Sequence, residues 1–370
     1  MSSFLPYGRQ IISEDDIEAV VGVLRGDWLT TGPAVRDFEQ AFAAHVCGGL
    51  GVAVNSGTAA LHCAYHALGV TAGDEVIVPA MTFAATANAV LHCGARPVFA
   101  DVCPRTLLID PESAERCITP RTKVLVGVDY AGHPCDWDAL RTLADRYSLR
   151  LVADACHAAG ARYKGRPVGS IADISVFSFH PVKHITTAEG GMAVTADPDW
   201  AHAMRVFRNH GITTDSHQRE KASAWQYDMV ELGYNYRLSD LQCALGMSQL
   251  ARLDDWVAKR NILAACYRQR LAGKNLELPA CSADVLHAYH LFVVFCDGRD
   301  ALFRMMRKAQ IGVNVHYKPV YMHPYYRKNG YAETCCPVAE AAYERLLTLP
   351  MWAGMSEEDV QRVCALCQPV

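Results

Sequence analysis

Apolar, β-rich runs near residues 51–55, 75–79, 97–101, 124–129, 150–154, 174–178 and 192–195 alternate with helical stretches along the first half of the chain. That alternation predicts the α/β class: a large domain on a mainly parallel seven-stranded sheet with helices on its faces. The last two runs lie too close together for a crossover helix between them, so the final strand is expected to be antiparallel. From about Asp240 a long helical pattern runs through Leu241, Leu245, Leu250 and Trp256 to Leu271 and is expected to bridge to a smaller α+β domain. In that domain Tyr289 to Phe295 alternates like a strand, Leu302 to Ala309 like a helix and Val313 to Tyr317 like another strand. The division expected is residues 1–250 and 251–370, with Gly273 to Ala283 the softest stretch between elements and Pro324, Pro337 and Pro350 punctuating the remainder.

Several strand ends carry chemistry. Ile174-Ser175-Val176-Phe177 runs out at Ser178-Phe179-His180-Pro181-Val182-Lys183, followed by Thr186-Thr187-Ala188-Glu189-Gly190-Gly191. Hydroxyl, imidazole and amine thus emerge together where open α/β sheets bind ligands. A lysine amine is a poor nucleophile at neutral pH unless desolvated or held as an imine, and the competing reading of Lys183 is a solvated surface side chain. Arg150 to Asp154 is a second apolar strand, whose end presents Asp154 and, three residues on, His157. A carboxylate and a lysine on neighbouring strand ends are what pyridoxal 5′-phosphate requires: the amine bonds the aldehyde, and the carboxylate keeps the pyridine nitrogen protonated. Alone, Asp154 reads as a strand-end or helix N-cap residue. Val54-Asn55-Ser56-Gly57-Thr58 passes from strand through a small-residue turn into a helix, whose free N–H groups and dipole suit a phosphate, although Ser-Gly-Thr also caps helices that bind nothing. Val78 to Phe83 ends another strand with an aromatic that could stack on a pyridine ring or pack in the core.

Composition narrows the classes. A chain of 370 residues, 51% hydrophobic and 20% charged, can bury a large core, which excludes a disordered scaffold. A net charge of −4 gives no general attraction to nucleic acid, so an anionic substrate needs local basic groups. No signal-like start and no bilayer-length apolar run is visible, so a cytoplasmic protein without membrane contact is expected. The 15 cysteines are scattered and odd in number, which suits reduced thiols. Cys364 and Cys367 space like half a metal site without a second pair, and no metal is expected.

The ordered motifs resemble the DegT/DnrJ/EryC1/StrS group of pyridoxal-phosphate-dependent sugar aminotransferases, from Leu5 to about Pro350. They are Trp28 to Pro33, Asn55 to Leu61, Asp154 to Ala158, Ser178 to Gly191, and Gly233-Tyr234-Asn235-Tyr236-Arg237-Leu238-Ser239-Asp240-Leu241-Gln242. The resemblance implies the aspartate aminotransferase fold (fold type I), with Lys183 as the Schiff-base lysine, Asp154 as pyridine partner, Phe83 stacked on the ring and His157 beside the ring hydroxyl. Ser56, Gly57, Thr58 and Ser178 would hold the phosphate. Asn235 would reach the same phosphate from a neighbouring subunit, making a homodimer part of the site; its local alternative is a capped turn before the helix from Ser239.

Within the family the Ser178–Gly191 run and Val315 to Tyr321 resemble most the transaminases of the pseudaminic acid pathway. These aminate C4 of a UDP-linked 4-keto-6-deoxy-N-acetylhexosamine of the altrose series. Two departures stand out: Ala153 where Glu often precedes the aspartate, and His184 where Pro often follows the lysine. By analogy L-glutamate is the donor, pyridoxamine phosphate the intermediate cofactor form and ping-pong kinetics the result. Thr30, His180, His316 and Tyr317 are candidate sugar-nucleotide contacts or packed pocket walls. Arg237 and Arg208 are candidates for the donor carboxylates or plain ion-pair partners. The rivals are an aminotransferase for another UDP- or dTDP-linked keto-sugar, a sugar dehydratase on the same scaffold, in which the lysine is replaced, and a non-catalytic regulator. A nicotinamide enzyme lacks its Gly-x-Gly-x-x-Gly fingerprint here.

Overall fold

The seven runs form one sheet, and the edge at which their C-terminal ends meet determines where chemistry can gather. In the computed structural model, which describes residues 4–367 except 215–218, 220–222 and 224, the strands lie in the order Leu50–Val54, Gly191–Thr195, Ile174–Ser178, Arg150–Asp154, Thr122–Val128, Glu75–Pro79, Arg96–Ala100. The last five pair in parallel. Gly191–Thr195 runs antiparallel to both its neighbours, as the short connection requires. Helices cover both faces, so the central strands read as unbroken apolar runs such as Val76-Ile77-Val78 and Val124-Leu125-Val126.

Alternate side chains of one strand enter opposite cores. Val52, Val54 and Val176 join the core that includes Leu61, Tyr65, Trp137 and Leu140. Ala53, Phe177 and Val194 face the other core, where Phe38 and Phe42 of the helix Pro33–Val46 meet Phe177 and Phe179 with ring centroids 5.0–5.2 Å apart. The strand register sets Asp154 beside Val128 and Val176, so Asp154 and Ser178 end at one edge.

The C-terminal part packs the helices Leu253–Leu271, Arg299–Lys308 and Glu357–Leu366 around an antiparallel pair, Phe292–Phe295 with Leu346–Leu349. Leu5, paired with Ile311, joins this core from the other end of the chain.

Three expectations need correction. The helical pattern from Asp240 is two helices, Asp240–Leu250 and Leu253–Leu271. Arg252 leaves helical geometry at φ −110°, ψ 3°, because its guanidinium pairs with buried Asp16, donates to Ser13 Oγ at 2.6 Å and lies over the Trp256 ring. Val313 to Tyr317 is not a strand: only Asn314 bridges, to Thr348, and its side chain takes the Val315 N–H at 2.8 Å. The strand expected from Tyr289 starts at Phe292, since Tyr289 has φ +46°. Leu346–Leu349 escaped detection because it follows the helix Pro337–Arg345 without a break signal.

Gly127 marks how tightly one face is filled. A Cβ there would lie 2.7 and 2.9 Å from Trp137 ring carbons. Gly127→Ala should therefore lower the urea midpoint, at a cost of about 1–3 kcal/mol; an unchanged midpoint would show that the Trp137 helix yields freely.

Candidate active site

At its last residue the Asp154 strand still holds its ladder, with the Asp154 carbonyl accepting the Asp129 N–H at 3.1 Å, while the side chain turns to other partners. Asp154 is buried, and its Oδ2 accepts from the Thr86 hydroxyl at 2.7 Å while Oδ1 accepts the Cys156 N–H at 3.2 Å. Thr86 in turn shares a 2.8 Å contact with the hydroxyl of Thr82. The carboxylate is thus aimed by a helix, Ala85–His92, that lies one strand crossing away. As a bare local cap, the alternative for Asp154, it would not need this second anchor.

The turn Asp154-Ala155-Cys156-His157 delivers His157 into the interior. Its Nδ1 accepts the Ala131 N–H at 3.3 Å, which places the proton on Nε2, 3.1 Å from the Tyr317 hydroxyl. Burial holds this imidazole well below the ordinary histidine range, with Lys183, His316 and His184 adding to the effect. Phe83, far from packing in the core, is 59% exposed with its ring centroid 5.9 Å from that of Tyr317.

Lys183 is half-buried rather than a fully solvated lysine. Its amine sits 3.4 Å from His290 Nε2, and burial lowers its pKa against the upward pull of Cys156 and Asp154. A desolvated amine is disfavoured as ammonium, so a larger fraction is free base at neutral pH. Beside it the helix Gly57–Ala67 starts at Ser56, which caps it by accepting the Ala59 N–H at 3.1 Å. The first-turn N–H groups of Gly57 and Thr58 precede the helical ladder and point the dipole's positive end into the site. A Cβ on Gly57 would lie 3.0 Å from Ser178 Cβ and 3.2 Å from Cys156 Sγ, so only a glycine leaves this cup open. Ser178 Oγ lies 3.4 Å from the His180 N–H, and the His180 side chain faces outward.

The remaining candidates fall in different places. Tyr317 belongs to the cluster through His157. His316 stands behind it, 7% exposed, with Nδ1 2.9 Å from Thr348 Oγ1 and Nε2 3.2 Å from the Asn314 amide; its pKa is lowered to about 4 by burial and by Lys183. Thr30 pairs through its backbone with Ser239. Asn235 is exposed, bridges to Asn209 and accepts from the Asn55 amide at 3.3 Å, while Ser239 itself caps the helix that follows. Arg237 donates to Asn209 Oδ1 at 2.9 Å and lines a cavity of about 490 Å³ with Thr31, Arg36 and Arg205, outside the Lys183 cluster. Arg208 takes the ion-pair alternative: its Nη1 bonds Glu39 and the Ala53 carbonyl, and its side chain lines the same cavity as Arg237. Thr86, Tyr130 and His290 were missed. Thr86 could have been sought because every loop after a parallel strand opens at the same edge; His290 offered no local signal.

The family model described as the DegT/DnrJ/EryC1/StrS aminotransferase family matches residues 10–368. SpsC of Bacillus subtilis (strain 168), a spore coat polysaccharide biosynthesis protein, is 41% identical over 97% of this chain and 95% of its own length. Among solved structures, Spr1654 of Streptococcus pneumoniae in its PMP form superposes with a TM-score of 0.94 at 34% identity, covering 98% of each chain. Its PLP form gives 0.93 at 33%, also covering 98% of each. Helicobacter pylori PseC, an aminotransferase involved in the biosynthesis of pseudoaminic acid, gives 0.92 at 30% over 99% of this chain and 98% of its own.

The buried imidazoles make stability depend on pH in a stated direction. An unfolded histidine takes up its proton near 6.5, whereas folded His316 resists until about 4. Between those values the unfolded state binds more protons, so stability falls as pH falls. The thermal midpoint of the apoprotein should decline from pH 6.5 to 4, and His316→Gln should flatten part of that decline; equal slopes in both proteins would contradict the burial assigned to this ring.

Proposed function

The chain belongs to the DegT/DnrJ/EryC1/StrS aminotransferase family, and from that membership we propose its reaction: transfer of the amino group of L-glutamate to C4 of a UDP-linked 4-keto-6-deoxy-N-acetylhexosamine of the altrose series. The enzyme is a pyridoxal-5′-phosphate-dependent transaminase with the α/β fold of that class, in a family of sugar aminotransferases. One observation carries the site reading: the desolvated Lys183 amine shares a sheet edge with the Asp154 carboxylate and the open N-terminus of the Gly57–Ala67 helix.

The residues present fit the cofactor. Gly57, Thr58, Ser56 and Ser178 would hold its phosphate in the cup that a Cβ at position 57 would fill, and Asp154 would face its ring nitrogen. When bound, pyridoxal phosphate supplies an aldehyde that takes up the amino group and a ring that accepts the electron pair freed at the donor Cα. Lys183 Nζ, as a free base, would take the proton from the donor Cα and deliver it to the cofactor carbon that carries the nitrogen. Thr86 fixes the Asp154 carboxylate; His157 and Tyr317, bonded to each other, would wall the ring edge, and Phe83 would cover one face. We read residues 1–250 as the cofactor domain and 251–370 as the smaller one, with the site at their junction.

Exposed Trp225, Tyr227, Met229, Val230, Leu232 and Tyr234, just before Asn235, support a homodimer in which this segment meets a second copy and Asn235 completes the partner's phosphate site. No helix among the described residues is long and apolar enough to cross a membrane, and we place the enzyme in the cytoplasm. The similarity to PseC supports the altrose-series substrate; Thr30, His180 and Tyr317 would face the sugar nucleotide, with His316 backing Tyr317 and Arg237 on the neighbouring cavity. A second reading, another nucleotide-linked keto-sugar, draws support from the 41% identity to SpsC.

Borohydride treatment of the holoenzyme should fix the cofactor onto Lys183 in the peptide mass map, and Lys183→Ala should abolish both half-reactions in a folded protein. Glutamate half-turnover surviving in Lys183→Ala would refute the role of the amine. With glutamate and a panel of UDP-linked keto-sugars, the altrose-series 4-ketone should be the one aminated, at C4; preference for another ketone would favour the second reading.

A further inference from the structure

The Lys183 amine is ringed by imidazoles, and one of them has no other employment. His290 is 5% exposed, its Nε2 faces Lys183 Nζ at 3.4 Å, and its Nδ1 is buried without a partner. Its ring centroid lies 4.4 Å from that of His157 and 5.8 Å from that of His184. Among the described residues no ion pair holds Lys183.

The placement of His290 is built rather than incidental. His184, which directly follows the lysine, has Nε2 2.9 Å from the Ala288 carbonyl, tying the 287–290 segment to the Lys183 loop. From the other side the fully buried Arg260 donates to the carbonyls of Tyr289 and Met351, each at 3.0 Å. His184 and Arg260 together fix the backbone from which His290 projects.

The unpartnered Nδ1 selects a tautomer. Were the proton on Nδ1, a buried N–H would lack an acceptor, a rarer and costlier arrangement than an idle lone pair. With the proton on Nε2, the ring donates toward Nζ, which can accept only as a free-base amine. An ammonium has no lone pair and would meet the N–H head-on.

We propose that His290 is a positioning residue that holds the Lys183 amine in its neutral, nucleophilic form by donating Nε2–H to Nζ. It thereby keeps the lysine in place whenever the amine is released from the cofactor. The titratable groups facing the amine are Asp154 and Cys156, which favour its protonation, and the imidazoles of His157, His184, His290 and His316, which are neutral in the fold. The proposal rests on Lys183 being the reactive amine.

The test uses the full-length apoprotein, so that it does not depend on turnover. Trace acetic anhydride labelling of Lys183 across pH, read by mass spectrometry, gives the amine's protonation midpoint. His290→Leu, similar in size and without a donor, should raise that midpoint by about one pH unit, the worth of one hydrogen bond to the free base. His290→Gln, which keeps an N–H donor, should restore most of the shift. A midpoint unchanged or lowered in His290→Leu overturns the proposal. If the Leu variant does not fold, selective ¹⁵N-imidazole spectra of the unsubstituted protein decide: Nε2–H at His290 supports it and Nδ1–H overturns it. Borohydride labelling of the holoenzyme separates the two ideas. An unlabelled Lys183 sinks the reading of the lysine, whereas a labelled Lys183 with an unmoved midpoint sinks only the role of His290.

Discussion

An amine taken out of water resists protonation, and the site depends on keeping Lys183 in that condition while leaving it next to a carboxylate. Two demands conflict here. Asp154 and Cys156 draw the lysine toward its charged form, and burial draws it away. The resolution is spatial: Asp154 is engaged by the Thr86 hydroxyl and the Cys156 N–H, while the amine's immediate neighbour is an imidazole. Among the described residues no ion pair joins this carboxylate to the amine, which the proposed cofactor reading requires.

The polar wall around the amine needs rigid support, since a buried donor or acceptor left unmatched costs about 1–3 kcal/mol. The support comes from distant stretches of chain. His157 is held by the Ala131 N–H and Tyr317, His316 by Thr348 and Asn314, and the His290 backbone by Arg260 and His184. The Tyr130 hydroxyl donates to the His316 carbonyl and so locks the Tyr317 segment against the strand edge. The C-terminal part contributes Tyr317 and Thr348 to this wall, which couples the order of the site to the packing of the second core.

The Lys183 cluster is walled by imidazoles and Tyr317, whereas the space of about 490 Å³ near Arg237 is lined with guanidinium groups, several already satisfied by Glu39 and backbone carbonyls. A basic cavity of that kind raises the local potential for an anion without committing to one. It adjoins the segment whose apolar side chains stand in solvent in a single copy.

The sequence by itself determined the α/β class, all seven sheet strands within a few residues, the antiparallel last strand and the sheet edge that carries Lys183 and Asp154. It could do so because these are local quantities: apolar runs, loop lengths and the side chain that follows a strand end. The break at Arg252, the loss of a strand at Val313–Tyr317 and the occupation of Arg208 by Glu39 were decided only in three dimensions. In each, a side chain found a partner far along the chain or a backbone N–H bonded the side chain of the residue before it. The same holds for His290 and Thr86, separated from Lys183 and Asp154 by 107 and 68 positions. Nothing in a linear pattern weights one such pair over another, whereas packing at interior density does.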